Sequence, residues 1–451
     1  LQFRREHTAQ AEALYRQAMS RAENAGELNN QSESLLRLSL AHRELQQVSK
    51  AEHEARQALE IARETGATST QAEAWFALGE MARLRGEAGE ALEAYGRAEE
   101  TAPTGGDPDL MWQLHYGRAR ALADNNRLEG AISELKAAVE VIESVRERLR
   151  EERFRAGYIQ DKYQVYVDLV RLQLELGQTQ QAFDTAERLR ARSFLEQLEN
   201  GRPDAGSRQH DKTEYALRER IRQLQIALDS ENETPPPHRR QLAVDSFSSE
   251  LRTAERQYQD YLDDRNAQSA IWRISNLPTS KDVQTRLEPG EALVEYVVDK
   301  ERVMIFVLQP GSLSAVSSAL DQASLQAKVN LVRELIQQPS NELWQSPASS
   351  LSKTLLKPLQ ARDLLNDVKH LYLVPHGILN FLPFAVLPLE EAGSDRTLME
   401  RFTLSYLPAA ASLVHSSTEL TVRTSLLAVA PESTRLQHSL AEARSITELY
   451  K

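Results

Sequence analysis

The sequence predicts a multidomain protein in which an all-α helical solenoid precedes an α/β domain. Three observations lead to this fold class. The chain has 451 residues, more than a single hydrophobic core usually serves. One pattern recurs at residues 11, 51, 91 and 131, which gives a period of 40 through the first 200 residues. After Pro278 the apolar residues change from helical spacing to short strand-like runs.

The repeat is built from small or apolar residues at positions i, i+4 and i+7, a spacing that places each set on one helix face. The sets are Ala11, Tyr15, Ala18; Ala51, Ala55, Ala58; Ala91, Tyr95, Ala98; and Ala131, Leu135, Ala138. The same shift aligns the small residues Ser39, Gly79 and Ala119, and the loop glycines Gly26, Gly66 and Gly106. Small residues let two helices approach closely. We therefore predict a stack of helical hairpins over residues 1–200.

One repeat carries a family resemblance. Its residues are Trp75, Leu78 and Gly79, then Ala91, Tyr95, Ala98 and Pro103. This order of large, small, aromatic and closing proline residues resembles the tetratricopeptide (TPR) repeat. Because the period of 40 exceeds the roughly 34 residues usual for that repeat, lengthened helices or loops are expected. Trp75, Tyr95 and the alanines are predicted to be core residues, and a divergent last hairpin is predicted over Tyr163–Leu189.

A groove for a partner is predicted on the first helix of each hairpin. Leu36, Phe76 and Tyr116 recur at the 40-residue shift, and Arg43, Arg83 and Arg120 follow them on the same helices. By resemblance to TPR arrays, these residues would face a concave groove. An apolar ladder edged by arginines would suit an acidic or amphipathic peptide of a protein partner. Packing between repeats is the alternative for the same residues.

The segment between the two domains, residues 201–276, is predicted to be a helical hairpin connector. Two amphipathic stretches, Tyr215–Leu228 and Leu242–Tyr261, flank Glu233–His238, whose three successive prolines cannot lie inside a helix. A partner-binding paddle is the alternative. On the helix before this segment, Arg188, Arg190 and Arg192 alternate with glutamates such as Glu187, a pattern that favours a solvated, salt-bridged face.

Residues 277–451 show the pattern of an α/β domain. A strand hairpin is predicted at Ala292–Val298 and Val303–Leu308, with further strands at His370–Val374, Phe402–Leu407 and Ser425–Ala430. Helices are predicted at Gln322–Ile336, Ser349–Leu359, Ala410–Leu413 and Glu442–Tyr450. Apolar runs separated by helices indicate a largely parallel sheet that is covered on both faces.

Several segments of this domain resemble the CHAT domain, a caspase-like domain associated with TPR repeats. Leu371–Leu387, with the sequence LYLVPHGILNFLPFAVL, is similar to a strand and loop in the first part of that domain. Four further segments follow the family order: Ala182–Arg192 before the connector, Glu295–Tyr296, Tyr406–Pro408, and Ala430–Pro431 with Leu440–Arg444. Residues 277–451 are therefore identified as the N-terminal portion of a CHAT domain.

The resemblance implies a caspase-like cysteine peptidase fold. Family members place a catalytic histidine in a His-Gly after a later strand and a cysteine in a Ser-Ala-Cys-x-Thr-Gly turn after the next. This span contains neither segment and no cysteine, so no catalytic residue is assigned and the span itself is expected to be inactive. His376-Gly377 matches the earlier family loop, where a structural role is the simpler interpretation and lining of the active site the alternative.

The remaining sequence features limit the function. A net charge of −12 argues against a nucleic-acid partner. The chain has no apolar run of the roughly 18 residues that a membrane span needs, and a cytoplasmic location is expected. No cofactor or metal is predicted. The chain lacks a first Met and stops within an amphipathic stretch, so a fragment is expected.

Together the resemblances predict a bacterial-type, TPR-regulated caspase-like cysteine protease, with a protein substrate and with a partner bound to the array. The alternative is a non-catalytic TPR scaffold or signalling adaptor with a degenerate CHAT domain.

Overall fold

The computed structural model describes residues 2–103, 107–148, 158, 162–201, 278–337, 342–389 and 396–415, together with separate positions between 216 and 257. The first part is a stack of antiparallel helices. Its helices are α1 (Gln2–Ala25), α2 (Leu28–Glu44), α3 (Val48–Thr65), α4 (Thr68–Leu84), α5 (Ala88–Thr101), α6 (Pro108–Asp124), α7 (Leu128–Arg148), α8 (Tyr163–Glu175) and α9 (Thr179–Gly201). The pairs α2–α3, α4–α5, α6–α7 and α8–α9 form hairpins.

The repeated positions are buried in three of the four predicted sets; in the first set the prediction of a core is wrong, since Ala11 and Tyr15 are only partly buried and Ala18 is exposed. Ala51, Ala55 and Ala58 of α3 are all fully buried, as are the equivalent Ala91, Tyr95 and Ala98 of α5. Gly26 and Gly66 have φ angles of 69° and 73°, the left-handed conformation that lets one helix end and the next begin. The third loop glycine, Gly106, lies outside the described residues.

The predicted connector is described only in part. The described positions in both predicted arms are helical, and the Arg220 guanidinium lies 2.7 Å from the Glu250 carboxylate of the other arm. Leu224 and Ala254, one on each arm, are buried. The Glu233–His238 turn lies outside the described residues.

The second part is built on a five-stranded mixed sheet. Its elements are α10 (Ser280–Gln284), β1 (Glu291–Val298), β2 (Arg302–Gln309), β3 (Ser312–Ala319), α11 (Gln322–Ile336), α12 (Gln345–Leu355), α13 (Lys357–Gln360), β4 (His370–Val374), α14 (Leu398–Arg401), β5 (Thr403–Tyr406) and α15 (Ala411–His415). Two 3₁₀ turns, Gly377–Phe381 and Phe384–Val386, follow β4. The strand order is β3-β2-β1-β4-β5.

The prediction of a largely parallel sheet is wrong for the described strands. Strands β1, β4 and β5 are parallel, but β1, β2 and β3 form an antiparallel meander. The turns that join the meander are short, and a short turn can only connect antiparallel strands. Strand β3 was not predicted, because its sequence SLSAVSSA is rich in serine and alanine instead of β-branched residues.

The helices of this part follow the prediction closely. Helix α11 has the predicted bounds, and Asp321 caps it by accepting a hydrogen bond of 2.8 Å from the Ser324 N–H. The predicted helix Ser349–Leu359 begins earlier and is divided into α12 and α13. Pro358 explains the division, since proline has no N–H to continue the helical hydrogen bonds. The strand predicted at Ser425–Ala430 and the helix predicted at Glu442–Tyr450 lie outside the described residues.

The two faces of the sheet are covered by different parts of the chain. Helices α11 and α12 pack on one face, where Leu325, Val329 and Leu351 meet Val294 and Ile305. The last hairpin of the array, α8–α9, packs on the other face. Array and sheet therefore share a hydrophobic core.

On that second face, Val167, Val170 and Phe183 of the hairpin contact Leu293 and Phe306 of the sheet. The rings of Phe183 and Phe306 meet edge to face, with 5.7 Å between their centroids. In the part of the chain that the structure describes, no helix has the length and apolar content needed to cross a membrane.

Candidate functional site

The first helices of the hairpins form one continuous face of the array, because α2 contacts α4 and α4 contacts α6. The predicted apolar ladder does not line this face as expected. Leu36 and Phe76 are only 3% and 7% exposed. Leu36 packs against Ala55 and Ala58, and the Phe76 ring lies 5.9 Å from the Tyr95 ring. The structure thus assigns Leu36 and Phe76 to packing between helices, the alternative that the sequence left open.

Tyr116, the third residue of the predicted ladder, is partly exposed but engaged. Its hydroxyl donates a hydrogen bond of 2.7 Å to Asp168 on α8. The Arg120 guanidinium covers its ring at 4.6 Å from the centroid. Tyr116 therefore links α6 to the last hairpin, and its aromatic face is occupied by a cation.

The three predicted groove arginines converge on one buried carboxylate, that of Glu80. Arg120 donates a hydrogen bond of 2.5 Å to Glu80 Oε1. Arg43 and Arg83 lie 3.7 and 3.8 Å from the same carboxylate, and the Tyr95 hydroxyl donates to it at 2.6 Å. We call Arg43, Arg83 and Arg120 the arginine cluster; it joins three successive hairpins at a single point.

The pKa of Glu80 depends on its burial and on the positive charges that surround it. Burial alone would raise the pKa of Glu80, but the charge of Arg120 and the Tyr95 hydrogen bond outweigh it and hold the pKa below its usual value. Glu80 therefore stays ionised. Its single negative charge faces three guanidinium groups whose side chains remain 18% to 29% exposed.

Glu80 was not predicted from the sequence, although a signal for it existed. Glu80 is the one charged residue in the run ALGEMA, between Ala77 and Ala82, on the side of α4 that also carries the small residue Gly79. A charge in such a run is either exposed or paired. Only the neighbouring hairpins decide which applies, and they supply the pairing arginines.

A second polar cluster lies where the last hairpin meets the sheet. Glu295 of β1 is fully buried on the face that packs against this hairpin. Arg190 of α9 lies 2.8 Å from its carboxylate and also donates to the Tyr296 carbonyl oxygen. Burial raises the pKa of Glu295 well above its usual range; Arg190 lowers it, and Glu187 raises it further.

The interpretation of this part of α9 as a solvated face is wrong for two residues. Arg190 is 9% exposed at its side chain and Glu187 is 1% exposed. The Glu187 carboxylate accepts hydrogen bonds from the Ala410 and Ala411 N–H groups at 3.0 and 2.9 Å. It therefore holds the start of α15 against the array. The sequence pattern hid this role because the partners lie more than 100 residues away.

His376 lies just after β4, at the edge of the sheet where the parallel strands β1, β4 and β5 end. Its Nδ1 accepts a hydrogen bond of 2.9 Å from the Val298 N–H. Its ring stacks on Tyr163 of α8, with 4.8 Å between centroids and 15° between planes. Burial, aided by the charge of Arg190, lowers the pKa of His376 to about 3. The imidazole is therefore neutral and ties β1, β4 and α8 together.

Gly377, the other residue of this predicted pair, is exposed and has a φ of +56°. This left-handed conformation starts the 3₁₀ turn that follows His376. Within the described ranges, no three His, Cys, Asp or Glu side chains are grouped so that they could hold a metal ion.

Residues 345–450 match the CHAT domain family. No curated protein gives a significant match to the chain.

Among solved structures, the apo form of RapI is 15% identical, with a TM-score of 0.33 over 57% of this chain and 72% of that chain. A kinesin light chain with TPR-like repeats from Podosopora anserina is 20% identical, with a TM-score of 0.30 over 41% of this chain and 86% of that chain. A Rap protein complexed with competence and sporulation factor is 15% identical, with a TM-score of 0.30 over 57% and 73% of the two chains.

The first part of the chain repeats a helical hairpin, and one of these hairpins carries the TPR order of large, small and aromatic residues. The second part matches the CHAT family over residues 345–450. Residues 345–450 therefore match the CHAT domain family and follow an array of helical hairpins that resembles the TPR repeat, which is the order of a TPR-CHAT architecture.

Proposed function

We propose that this chain is the partner-binding array and the first part of the catalytic domain of a regulated caspase-like cysteine protease. A protein partner binds the array, and the CHAT domain cleaves a protein substrate. The observation that carries this proposal is the shared core between the last hairpin and the sheet. Since α8–α9 belongs to both parts, a partner that shifts the array also acts on the sheet.

The chemistry of the proposal follows from the CHAT match. In a caspase-like site, an imidazole assists a thiolate that attacks a peptide carbonyl, while backbone N–H groups stabilise the oxyanion. The edge of the sheet where β4 and β5 end suits such a site, because ligands of parallel sheets bind at the carboxyl ends of the strands. His376 lies at this edge, but its Nδ1 and its ring are already held by Val298 and Tyr163.

Because these 451 residues contain no cysteine, the proposed nucleophile belongs to a part of the protein beyond them. The test therefore uses the full-length protein. Its own cleavage and that of proteins bound by the array are followed by electrophoresis and mass spectrometry. A version with the candidate catalytic cysteine changed to alanine and the 451-residue chain alone serve as matched controls.

We expect cleavage by the full-length protein only, with loss of cleavage in the alanine version. If the full-length protein shows no cysteine-dependent cleavage, the protease proposal is wrong and the scaffold function takes its place. In the scaffold function, the array and the CHAT domain only bind partners. Cleavage by the 451-residue chain itself would contradict the placement of the nucleophile outside these residues.

A further inference from the structure

The contact between the last hairpin of the array and the sheet buries two carboxyl groups beside a single arginine. We propose that this contact is a pH-sensitive latch, which holds one proton between Glu187 of α9 and Glu295 of β1 and loosens when that proton is lost at higher pH. We call this pair the carboxyl latch. The inference goes beyond the proposed protease function, because it concerns how the array is held to the sheet.

The first argument is the balance of charge at this contact. Glu187 and Glu295 are both buried, and their side chains are hydrogen-bonded to each other. Two carboxyl groups can form such a bond only if one of them carries a proton. Arg190 reaches the pair, with Nη1 2.8 Å from Glu295 Oε1. One guanidinium group balances one carboxylate, and a second buried negative charge would stay unbalanced, which is costly.

The second argument concerns which of the two groups carries the proton. The oxygens of Glu187 accept the N–H groups of Ala410 and Ala411 at 3.0 and 2.9 Å. An ionised carboxylate is the form that suits two such donors. The oxygens of Glu295 accept no well-directed hydrogen bond among the described residues. Glu295 therefore lacks the donors that stabilise an ionised carboxylate, and it is the protonated member of the latch.

The surroundings of the latch supply no second cation among the described residues. The side chains near it on neighbouring elements are Phe306 of β2, Val374 of β4, Tyr163 of α8, His376 after β4 and Asp299 at the end of β1. Burial raises the pKa of Tyr163, and burial together with Arg190 lowers the pKa of His376 to about 3, so both groups are neutral near neutral pH. Asp299 is paired with Arg171 at 3.6 Å. The balance of charge at the latch therefore depends on its own proton.

The direction of the pH dependence follows from the same geometry. Burial raises the pKa of Glu295 well above its usual value of 4.5; Arg190 lowers it, and Glu187 raises it further. The folded chain thus keeps a proton that the unfolded chain has already released. The stability that the latch contributes is complete below pH 4.5 and is lost as the pH rises through the raised pKa. Ionised Glu295 then repels Glu187, the group that holds the start of α15.

The first test follows the proton by infrared spectroscopy of this chain. A protonated carboxyl group has a carbonyl stretching band that a carboxylate lacks. At about pH 6, where carboxyl groups in solvent are ionised, the difference spectrum between the parent chain and Glu295→Gln should contain this band. Glutamine is a neutral substitute that can still donate to Glu187. Glu301→Gln is the matched control, because Glu301 lies on the exposed turn after β1, and its difference spectrum should lack the band.

A second variant separates the shared proton from a purely structural role. Glu187→Gln removes the negative charge that favours protonation of Glu295. The band of Glu295 should therefore disappear at a lower pH in Glu187→Gln than in the parent chain. A group that only packs at the contact would not change the pH at which its neighbour ionises.

Urea denaturation of the parent chain and Glu295→Gln between about pH 5 and about pH 9 measures the latch itself. Relative to the variant, the unfolding equilibrium constant of the parent should rise by up to about tenfold per pH unit until the band has disappeared. Hydrogen-exchange mass spectrometry then locates the opening. Over the same window, β1 and α15 of the parent should lose protection, whereas α2 and α3 should keep theirs.

The proposal is wrong if the parent chain shows no carboxyl band, if the band survives in Glu295→Gln, or if the two denaturation curves depend on pH in parallel. Loss of protection in α2 and α3 together with α15 would also overturn it, because the whole chain and not the latch would then be opening. If Glu295→Gln does not fold, the band of the parent and its shift in Glu187→Gln decide. Protease activity plays no part in these measurements, so a failure of the proposed function leaves them unaffected.

Discussion

Tyr95 shows how a single side chain fixes the distance between hairpins. Its ring is fully buried between α4 and α6. A Cβ atom on Gly79 would lie 2.6 Å from the ring, and one on Gly117 would lie 2.7 Å from it. Real Cβ atoms do not approach that closely. Gly79 and Gly117 therefore have a physical reason to lack a side chain, which is the space that the Tyr95 ring occupies between them.

We predict that Gly79→Ala destabilises the array by about 1–3 kcal/mol, the usual cost of forcing a methyl group into a packed core. The gain in helix propensity of up to about 1 kcal/mol offsets only part of this cost. Urea denaturation followed by circular dichroism measures the change. Gly96→Ala on α5 is the control, because no atom lies within 4 Å of its Cβ position. Gly96→Ala should raise the free energy of unfolding by up to about 1 kcal/mol. If Gly96→Ala instead lowers the free energy of unfolding as much as Gly79→Ala does, the explanation is wrong.

The second prediction concerns the stability effect of replacing Glu80. Glu80→Gln keeps a hydrogen-bond acceptor for Tyr95 but removes the negative charge among three arginines. We expect a loss of about 3–5 kcal/mol, because partly buried guanidinium groups lose their central partner. Chemical denaturation at neutral pH measures it. Glu60→Gln on the exposed side of α3 should change the free energy of unfolding by less than about 0.5 kcal/mol; a similar small change for Glu80→Gln would mean that the arginines do not depend on it.

The sequence predicted the residues of the repeat core better than the polar residues. Tyr95 and the alanines of α3, α5 and α7 could be recognised because helical spacing and the 40-residue period both point to burial. Glu80 and Arg190 could not, because a charged residue within a helix usually lies in solvent. Whether it is buried depends on partners that are distant in sequence, such as Arg120, 40 residues from Glu80, and Glu295, more than 100 residues from Arg190. The period of one repeat does not contain that information.

At the scale of the element, strands β1, β2 and β4 were predictable and β3 was not. Strands β1 and β2 are buried on both faces, and buried strands are continuous apolar runs in sequence. Strand β3 lies at the edge of the sheet, where serines suffice because one side is exposed. The elements that cover the sheet were also predicted only in part. Two faces were predicted to be covered, but the sequence did not identify the last array hairpin as one of the covers.

His376 connects these elements, and its ionisation gives a pH prediction. The imidazole binds a proton near pH 6.5 in an unfolded chain but only near pH 3 in the folded one. Its contribution to stability is therefore complete above about pH 6.5 and is lost as the pH falls toward 3. We expect the free energy of unfolding to fall by up to about 1.4 kcal/mol per pH unit through this group in that window.

The measurement compares the parent chain with His376→Asn by urea denaturation between about pH 7 and pH 4. Asparagine can place an oxygen where Nδ1 accepts from the Val298 N–H, but it does not titrate. The variant should be less stable at pH 7, because it loses the stacking on Tyr163, yet its stability should depend less on pH. The carboxylates of the chain titrate in both proteins, so their contribution cancels when one pH curve is subtracted from the other. Parallel pH curves would show that His376 is not the buried neutral group described.

In the molecule as a whole, the array and the five-stranded sheet meet through a shared hydrophobic core. The last hairpin contributes Phe183 and Val167 to the second face of the sheet. Around this core, Glu187 holds α15 and Arg190 reaches β1. Interfaces of this kind transmit strain, because packed cores do not deform continuously. Among the described residues, the hairpins α2–α3, α4–α5 and α6–α7 contribute no side chain to this core.

This arrangement predicts that destabilising the last hairpin opens the sheet, whereas destabilising a distant hairpin does not. Phe183→Ala should cost about 3–5 kcal/mol, and it should speed amide hydrogen exchange in β1 and β2 as well as in α8 and α9. Leu59→Ala removes a buried side chain from the α2–α3 hairpin at a cost of about 2–5 kcal/mol. It should speed exchange only in the neighbouring helices, because each repeat contacts its neighbours alone. Hydrogen-exchange mass spectrometry of both variants decides the matter. If the sheet exchanges at the parent rate in Phe183→Ala, or as fast in Leu59→Ala as in Phe183→Ala, then the last hairpin is not the element that couples the array to the sheet.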